Sequence, residues 1–218
     1  IKVAVLVAAY READAGRLDL TKKVEFKESD KVPGSGILTK HFSGGTTLPV
    51  RDFIRAMIVW SDNTATNLVI NQVGLKRIAE VLGELDFKET RIHSLVFHGE
   101  TTIDPDKSEE FGLGRTTAAE MSRLLEMIYH RTAASAASCD AMLDHLRACE
   151  NNSRLATHFP AGRVFAHKAG SVDSARTDAG ILETDAGPII ICALTAKNKD
   201  HSWKSTNAAN VLLGRIGQ

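Results

Sequence analysis

Three polar clusters interrupt otherwise apolar elements of this chain. They are Lys2 in the first turn of an apolar helix, Ser61-Asp62-Asn63 between two helices, and Lys168-Ala169-Gly170-Ser171 on a strand. Singly, each has an ordinary structural explanation. A lysine near a helix start normally carries its charge to water. A Ser-Asp-Asn tripeptide is a frequent turn or helix cap, and Lys-x-Gly on a strand often marks a close backbone approach. Together they form an inventory for acyl transfer. A serine hydrolase without a histidine base needs a basic amine beside its nucleophile and a second hydroxyl to hand a proton to the leaving group. It also needs a cationic wall for an anionic substrate. Lys2, Ser61 and Lys168 supply those three types.

The set is similar to S-x-x-K, S-D-N and K-T-G, the motifs of class A β-lactamases and penicillin-binding proteins. The chain has x-Lys2, then SDNTATN from Ser61, then KAG from Lys168, and PGSGIL at 33–38 and GRTTAAEM at 114–121 also resemble that family. The similarity runs over essentially the whole chain. It implies that Lys2 is the lysine of S-x-x-K, with its serine two residues before Ile1. It implies that Ser61 relays the proton, that Asn63 bonds the substrate amide, and that Asn67 steadies the deacylation machinery. Lys168 resembles the lysine of K-T-G, followed by Ala169, Gly170 and Ser171 as substrate-binding positions. The Ser171 backbone N–H would form half of an oxyanion hole, and the missing serine's own N–H the other half. Arg176 lies near the family's carboxylate-binding arginine.

Two departures carry consequences. The threonine of K-T-G is Ala169, so a hydroxyl for a substrate carboxylate is absent unless Ser171 replaces it. The family's deacylating glutamate is also missing. Matching TRIHSLV (90–96) to the family's usual run puts Val96 at that position, and Glu100 is the nearest carboxylate. The resemblance thus implies serine-based acyl transfer on a small β-lactam or peptide-like amide, with Lys2, Ser61, Lys168 and Glu100 as the catalytic set and deacylation in doubt. A D,D-peptidase or esterase of the same superfamily is one alternative. A β-lactam- or peptidoglycan-binding domain that does not turn over is another. The resemblance also implies an exported protein that needs no cofactor. His93, His98 and His167 show no metal-ligand spacing on a helix, and His167, alternating with Lys168, reads as a packing residue. Trp60, just before Ser61, reads as a core anchor.

The bulk composition fits such an enzyme and excludes other classes. Of 218 residues, 43% are hydrophobic and 25% charged, as in an ordinary globular protein. With 27 basic and 27 acidic residues the net charge is +0, which removes the electrostatic case for nucleic acid or an anionic membrane as partner. No apolar run reaches the length of a membrane span. Cys139, Cys149 and Cys192 leave at least one thiol free; Cys139 and Cys149 have room to pair, and Cys192 reads as a core residue.

The elements that must position these groups follow from periodicity. Residues 1–15 read as a helix apolar on most faces, hence central. A core helix seldom opens a natural chain uncapped, so residues upstream are expected. Residues 17–50 read as loop-rich, followed by helices over 50–60, 64–73 and 75–83. Residues 90–115 have no period and read as a long irregular loop. A helix starts at Thr117, with Glu120 completing a capping box, and another covers 138–149. Residues 163–170, 176–184 and 188–196 read as an antiparallel meander, and a last helix covers 203–216. Helices, then strands, then a helix point to an α+β fold. The reading is a single domain over 1–218, with an all-helical lobe (about 1–150) beside an antiparallel sheet and C-terminal helix (about 160–218).

Overall fold

The computed structural model describes all 218 residues. Helix α1 (Lys2–Asp14) buries every residue from Val3 to Tyr10, as its apolar circumference requires. Strand β1 (Lys23–Phe26) pairs antiparallel with β2 (Thr46–Pro49), and the short α2 (Leu38–His41) lies between them in sequence. Helices α3 (Val50–Val59), α4 (Asn63–Val73) and α5 (Leu75–Glu84) follow and pack on α1. The two-residue strands β3 (Arg91–Ile92) and β4 (Gly114–Arg115) pair around α6 (Pro105–Phe111). Helices α7 (Ala118–Tyr129) and α8 (Ala136–Arg147) lead to β5 (Phe165–Val172), β6 (Ala175–Thr184), β7 (Gly187–Thr195) and α9 (Ala208–Ile216).

The three long strands form an antiparallel sheet in the order β5-β6-β7, which leaves β5 at an edge. Helix α8 lies against β5, α7 against β6 and β7, and α9 against β6. This is an α+β architecture with a helix-flanked antiparallel sheet. One apolar cluster joins α1, α3, α4, α5, α7 and α8 to Ala166, Ala179 and Ile181 of the sheet. Trp60 packs against its margin. No helix is long and apolar enough to cross a membrane.

Several local expectations need correction. The span 90–115 is only partly irregular: Asp104 caps α6 through its carboxylate and Pro105 takes the first helical position, where its missing N–H costs nothing. The capping box at Thr117 is half formed. Thr117 accepts from the Glu120 N–H, but the Glu120 carboxylate instead accepts from the backbone N–H groups of Lys88, Glu89 and Thr90. It ties the start of the 90–115 segment to α7. Residues 203–207 are not helical, because Asn207 caps α9 by accepting from Ala209 and Asn210. All three cysteines are free, so Cys139 and Cys149 do not pair.

The tripeptide at 61–63 makes the turn that matters most. Asp62 is buried and caps α4, accepting from the Ala65 N–H at 2.8 Å. Its other oxygen accepts from the N–H groups of Ile37 and Leu38 at 2.7 and 2.8 Å. Gly36, at φ +124, leaves no room for a Cβ beside that carboxylate. Asp62 thus locks the loop 33–37 onto the α3–α4 junction. Asp62→Ala strands three inward-facing donors at once, and is expected to lower unfolding free energy by about 3 kcal/mol or more in urea titration.

Candidate active site

Lys2 reaches the α3–α4 turn because every neighbouring position of α1 is packed in the core. Its amine donates to the Ser61 carbonyl at 2.6 Å, the Ser61 Oγ at 3.1 Å and the Asn63 Oδ1 at 2.9 Å. Three ammonium hydrogens meet three acceptors. Burial, then the nearby Lys168 charge, lowers the Lys2 pKa from 10.5 to about 7, although Asp62 pulls the other way. At neutral pH a large fraction of the amine is therefore deprotonated. Its lone pair then becomes an acceptor for the Ser61 hydroxyl, the exchange a proton relay requires.

Ser61 holds a left-handed backbone, φ 54, uncommon for a non-glycine residue. Ser35, from the PGSGIL stretch, donates to the Ser61 carbonyl at 2.7 Å, and Asn63 Nδ2 donates to the Pro33 carbonyl at 3.0 Å. Both bonds brace the strained turn. The motif reading named the stretch but not Ser35 itself, whose contact depends on how the loop folds back.

Lys168 stands on the edge strand β5, is buried, and donates to the Ala169 carbonyl at 2.8 Å. Burial lowers its pKa, while Cys149 and Asp178 oppose the shift and Arg154 adds to it. Ala169 is buried and offers only a methyl where a hydroxyl was at issue. Gly170 lies so close to β6 that an added Cβ would meet the Thr177 Oγ1 at 2.7 Å, so a side chain here would force Thr177 to move. Ser171 is exposed, and its hydroxyl accepts from the Arg154 guanidinium.

Arg154 is the residue that motif reading missed. It is buried, donates to Thr177 O at 2.8 Å and Asn210 Oδ1 at 3.0 Å, and adds a third cation to the Lys2–Lys168 region. Arg176 was expected near a substrate carboxylate, and the structure turns its guanidinium elsewhere. It is buried, and its guanidinium is spent on the carbonyls of Val172, Ala175 and Ser202 beneath the Trp203 ring. A guanidinium with its donors so engaged has little left for a ligand.

Asn67 clasps the backbone of Val96 from both sides, donating to its carbonyl at 2.9 Å and accepting from its N–H at 2.8 Å. The next residue, Phe97, has φ 64 and turns the chain outward. Glu100 follows on that outward turn. Its side chain is 71% exposed and its carboxylate lies 2.9 Å from His98 Nδ1. The structure therefore does not gather Glu100 with Lys2, Ser61 and Lys168. The three histidines singled out in the sequence also stay apart: His93 contacts the Gly112 carbonyl, His98 contacts Glu100, and His167 contacts Asp178.

Comparison with known proteins agrees with this architecture. A β-lactamase from Sphaerobacter thermophilus superposes with a TM-score of 0.86 at 29% identity, over 99% of this chain and 78% of that one. The chromosome-encoded β-lactamase of Vibrio parahaemolyticus gives 0.84 at 22% identity, over 100% and 80%. The protein PBP-A gives 0.81 at 22% identity, over 100% and 78%. The family model described as the β-lactamase enzyme family matches residues 1–218. The chain belongs to the β-lactamase enzyme family and is a β-lactamase-like hydrolase.

Proposed function

We propose that this protein is acylated by β-lactams at a serine two residues before Ile1, and that the acyl-enzyme is hydrolysed slowly. The observation that carries the first half is the Lys2 amine, half-buried against the Ser61 hydroxyl at 3.1 Å with a pKa near neutrality. A neutral amine one helical turn from a serine can take its proton, and Ser61 can pass that proton to the β-lactam nitrogen as the ring opens. Lys168 and Arg154 supply positive charge for a substrate carboxylate, with the Ser171 hydroxyl presented beside it. Asn63 would bond the substrate amide, and the Ser171 N–H would stabilise the oxyanion.

The second half rests on Val96. The backbone there is held by Asn67, yet the side chain cannot activate water. Glu100 is displaced into solvent, and its own backbone N–H and His98 hold its carboxyl below the usual range, which makes it a weaker base. The site is thus equipped for acyl transfer without an evident base for the second step.

The test is a chromogenic cephalosporin mixed with the protein that carries its upstream serine. One equivalent of chromophore should appear in a burst, followed by a slow steady phase, with the covalent adduct visible by mass spectrometry of the intact protein. No adduct would overturn the acylation; rapid linear turnover without a burst would overturn the slow second step.

A further inference from the structure

A second cluster of reactive side chains gathers around His167, which alternates with Lys168 along β5. His167 is fully buried. Its Nδ1 contacts Asp178 Oδ1 on β6 at 2.9 Å, and Phe165 stacks on its ring at 4.5 Å between centroids. The sequence reading treated His167 as a packing residue, but a buried imidazole oriented by a buried carboxylate is a polar device. Its other nitrogen, Nε2, is buried and has no hydrogen-bond partner. Phe165, which stacks on that imidazole, shares a cavity wall with the Cys149 thiol, just past the end of α8. Cys149 in turn lines a cavity of about 310 Å³ with Phe159, Pro160, Val164 and Phe165, flanked by Arg147 and Arg163.

We propose that Cys149, activated by His167 and oriented through Asp178, is a thiol-exchange site that takes a small disulfide entering by this cavity. The step balances without any further reagent. The Cys149 thiolate attacks one sulfur of the disulfide, a new S–S bond forms, and the old one breaks. The leaving thiolate departs with the electron pair and takes up the proton that His167 received from Cys149. The disulfide is the oxidant, and the product is a mixed disulfide on Cys149.

Electrostatics fit the geometry. Burial alone would raise the Cys149 thiol, but His167 and the Lys168 charge outweigh it and bring the pKa down to about 7. Burial lowers His167, but Asp178 and Cys149 outweigh that and lift it to about 9. Both shifts favour the charged forms, imidazolium and thiolate. The charged groups bearing on the pair are Lys168 beside His167 on β5, Asp178 on β6 and Arg154 in the preceding loop. Arg147 and Arg163 stand at the cavity wall, where they meet Glu183 and Asp185. Cys139 lacks such a setting: burial raises its thiol. Burial likewise raises Cys192, to about 11.

The folded protein is mixed with 5,5′-dithiobis(2-nitrobenzoate), and released thiolate is followed across pH. One equivalent should react in a fast phase, peptide mapping should place it on Cys149, and its rate should reach half-maximum near pH 7 rather than near the ordinary thiol value of about 8.5. Cys149→Ser should abolish that phase, and His167→Asn should move its midpoint upward by about one pH unit or more. The midpoint measured on the unaltered protein does not depend on any variant folding. A fast phase mapped to Cys139 or Cys192 would overturn the proposal. So would reaction at Cys149 only after unfolding in urea, or a midpoint at the ordinary thiol value. None of these readouts uses a β-lactam, so the result stands apart from the acylation proposal.

Discussion

Replacing Lys2 with methionine is expected to slow acylation by a β-lactam by about 10²–10⁴-fold, the contribution of a positioned general base. Methionine keeps an unbranched apolar stem in the first turn of α1, and the helix should survive because Val3–Tyr10 carry its packing. What disappears is the only amine bonded to the Ser61 hydroxyl. The pH dependence gives an independent sign. With the Lys2 pKa lowered to about 7, the base form is the neutral amine, which dominates above that pH. The second-order acylation rate of the unaltered protein should therefore rise as pH rises through about 7 and level off above it. The methionine variant should be slow and flat across that window. Stopped-flow release of chromophore measures both. An unaltered rate in Lys2→Met, or persistence of the same pH midpoint, would remove Lys2 from the mechanism and pass the base role to another group.

The parts of the site that could be read from sequence are those in which function is written into contiguous residues. Ser61-Asp62-Asn63 interrupts two apolar helices, so the turn between them was legible, and Lys2 opens a helix with no polar face to receive it. The β5–β6–β7 meander was legible because its strands alternate and its turns are short, although β5 begins and ends two residues later than its pattern indicates. Arg154 was not legible. It lies in an aperiodic stretch, and its approach to Ser171 is created only when that stretch folds against β5. Arg176 illustrates the converse. It lies near the family's carboxylate-binding arginine, which made it an attractive ligand residue, yet side-chain bonding turns its guanidinium onto Val172, Ala175 and Ser202. Sequence distance gave no means of choosing between the two arginines. The His167–Asp178 pair was missed for a related reason. Its members are eleven residues apart on neighbouring strands, and only the register joins them.

Val96→Glu is expected to accelerate deacylation by up to about 10²–10⁴-fold, converting a burst into continuous turnover. Asn67 bonds both the N–H and the carbonyl of Val96, so the backbone at this residue is specified by a neighbouring side chain and not by the valine itself. A glutamate introduced there inherits a fixed backbone, and the family resemblance puts the water-activating carboxylate at this position. Val96 is 6% exposed, so the substitution also buries a charge beside Asn67 and should cost stability. A thermal melt separates loss of fold from loss of chemistry. Val96→Gln is the control, since it has nearly the same size and no basic oxygen, and it should leave deacylation slow. Glu100→Gln should change neither phase, because that carboxylate is exposed and held by His98. The readout is the decay of the acyl-enzyme peak by mass spectrometry after excess β-lactam is removed. If Val96→Glu decays no faster than Val96→Gln while both remain folded, the slow second step does not arise from the missing carboxylate. If Glu100→Gln prolongs the acyl-enzyme, Glu100 turns inward during the reaction and serves as the base from its exposed resting position.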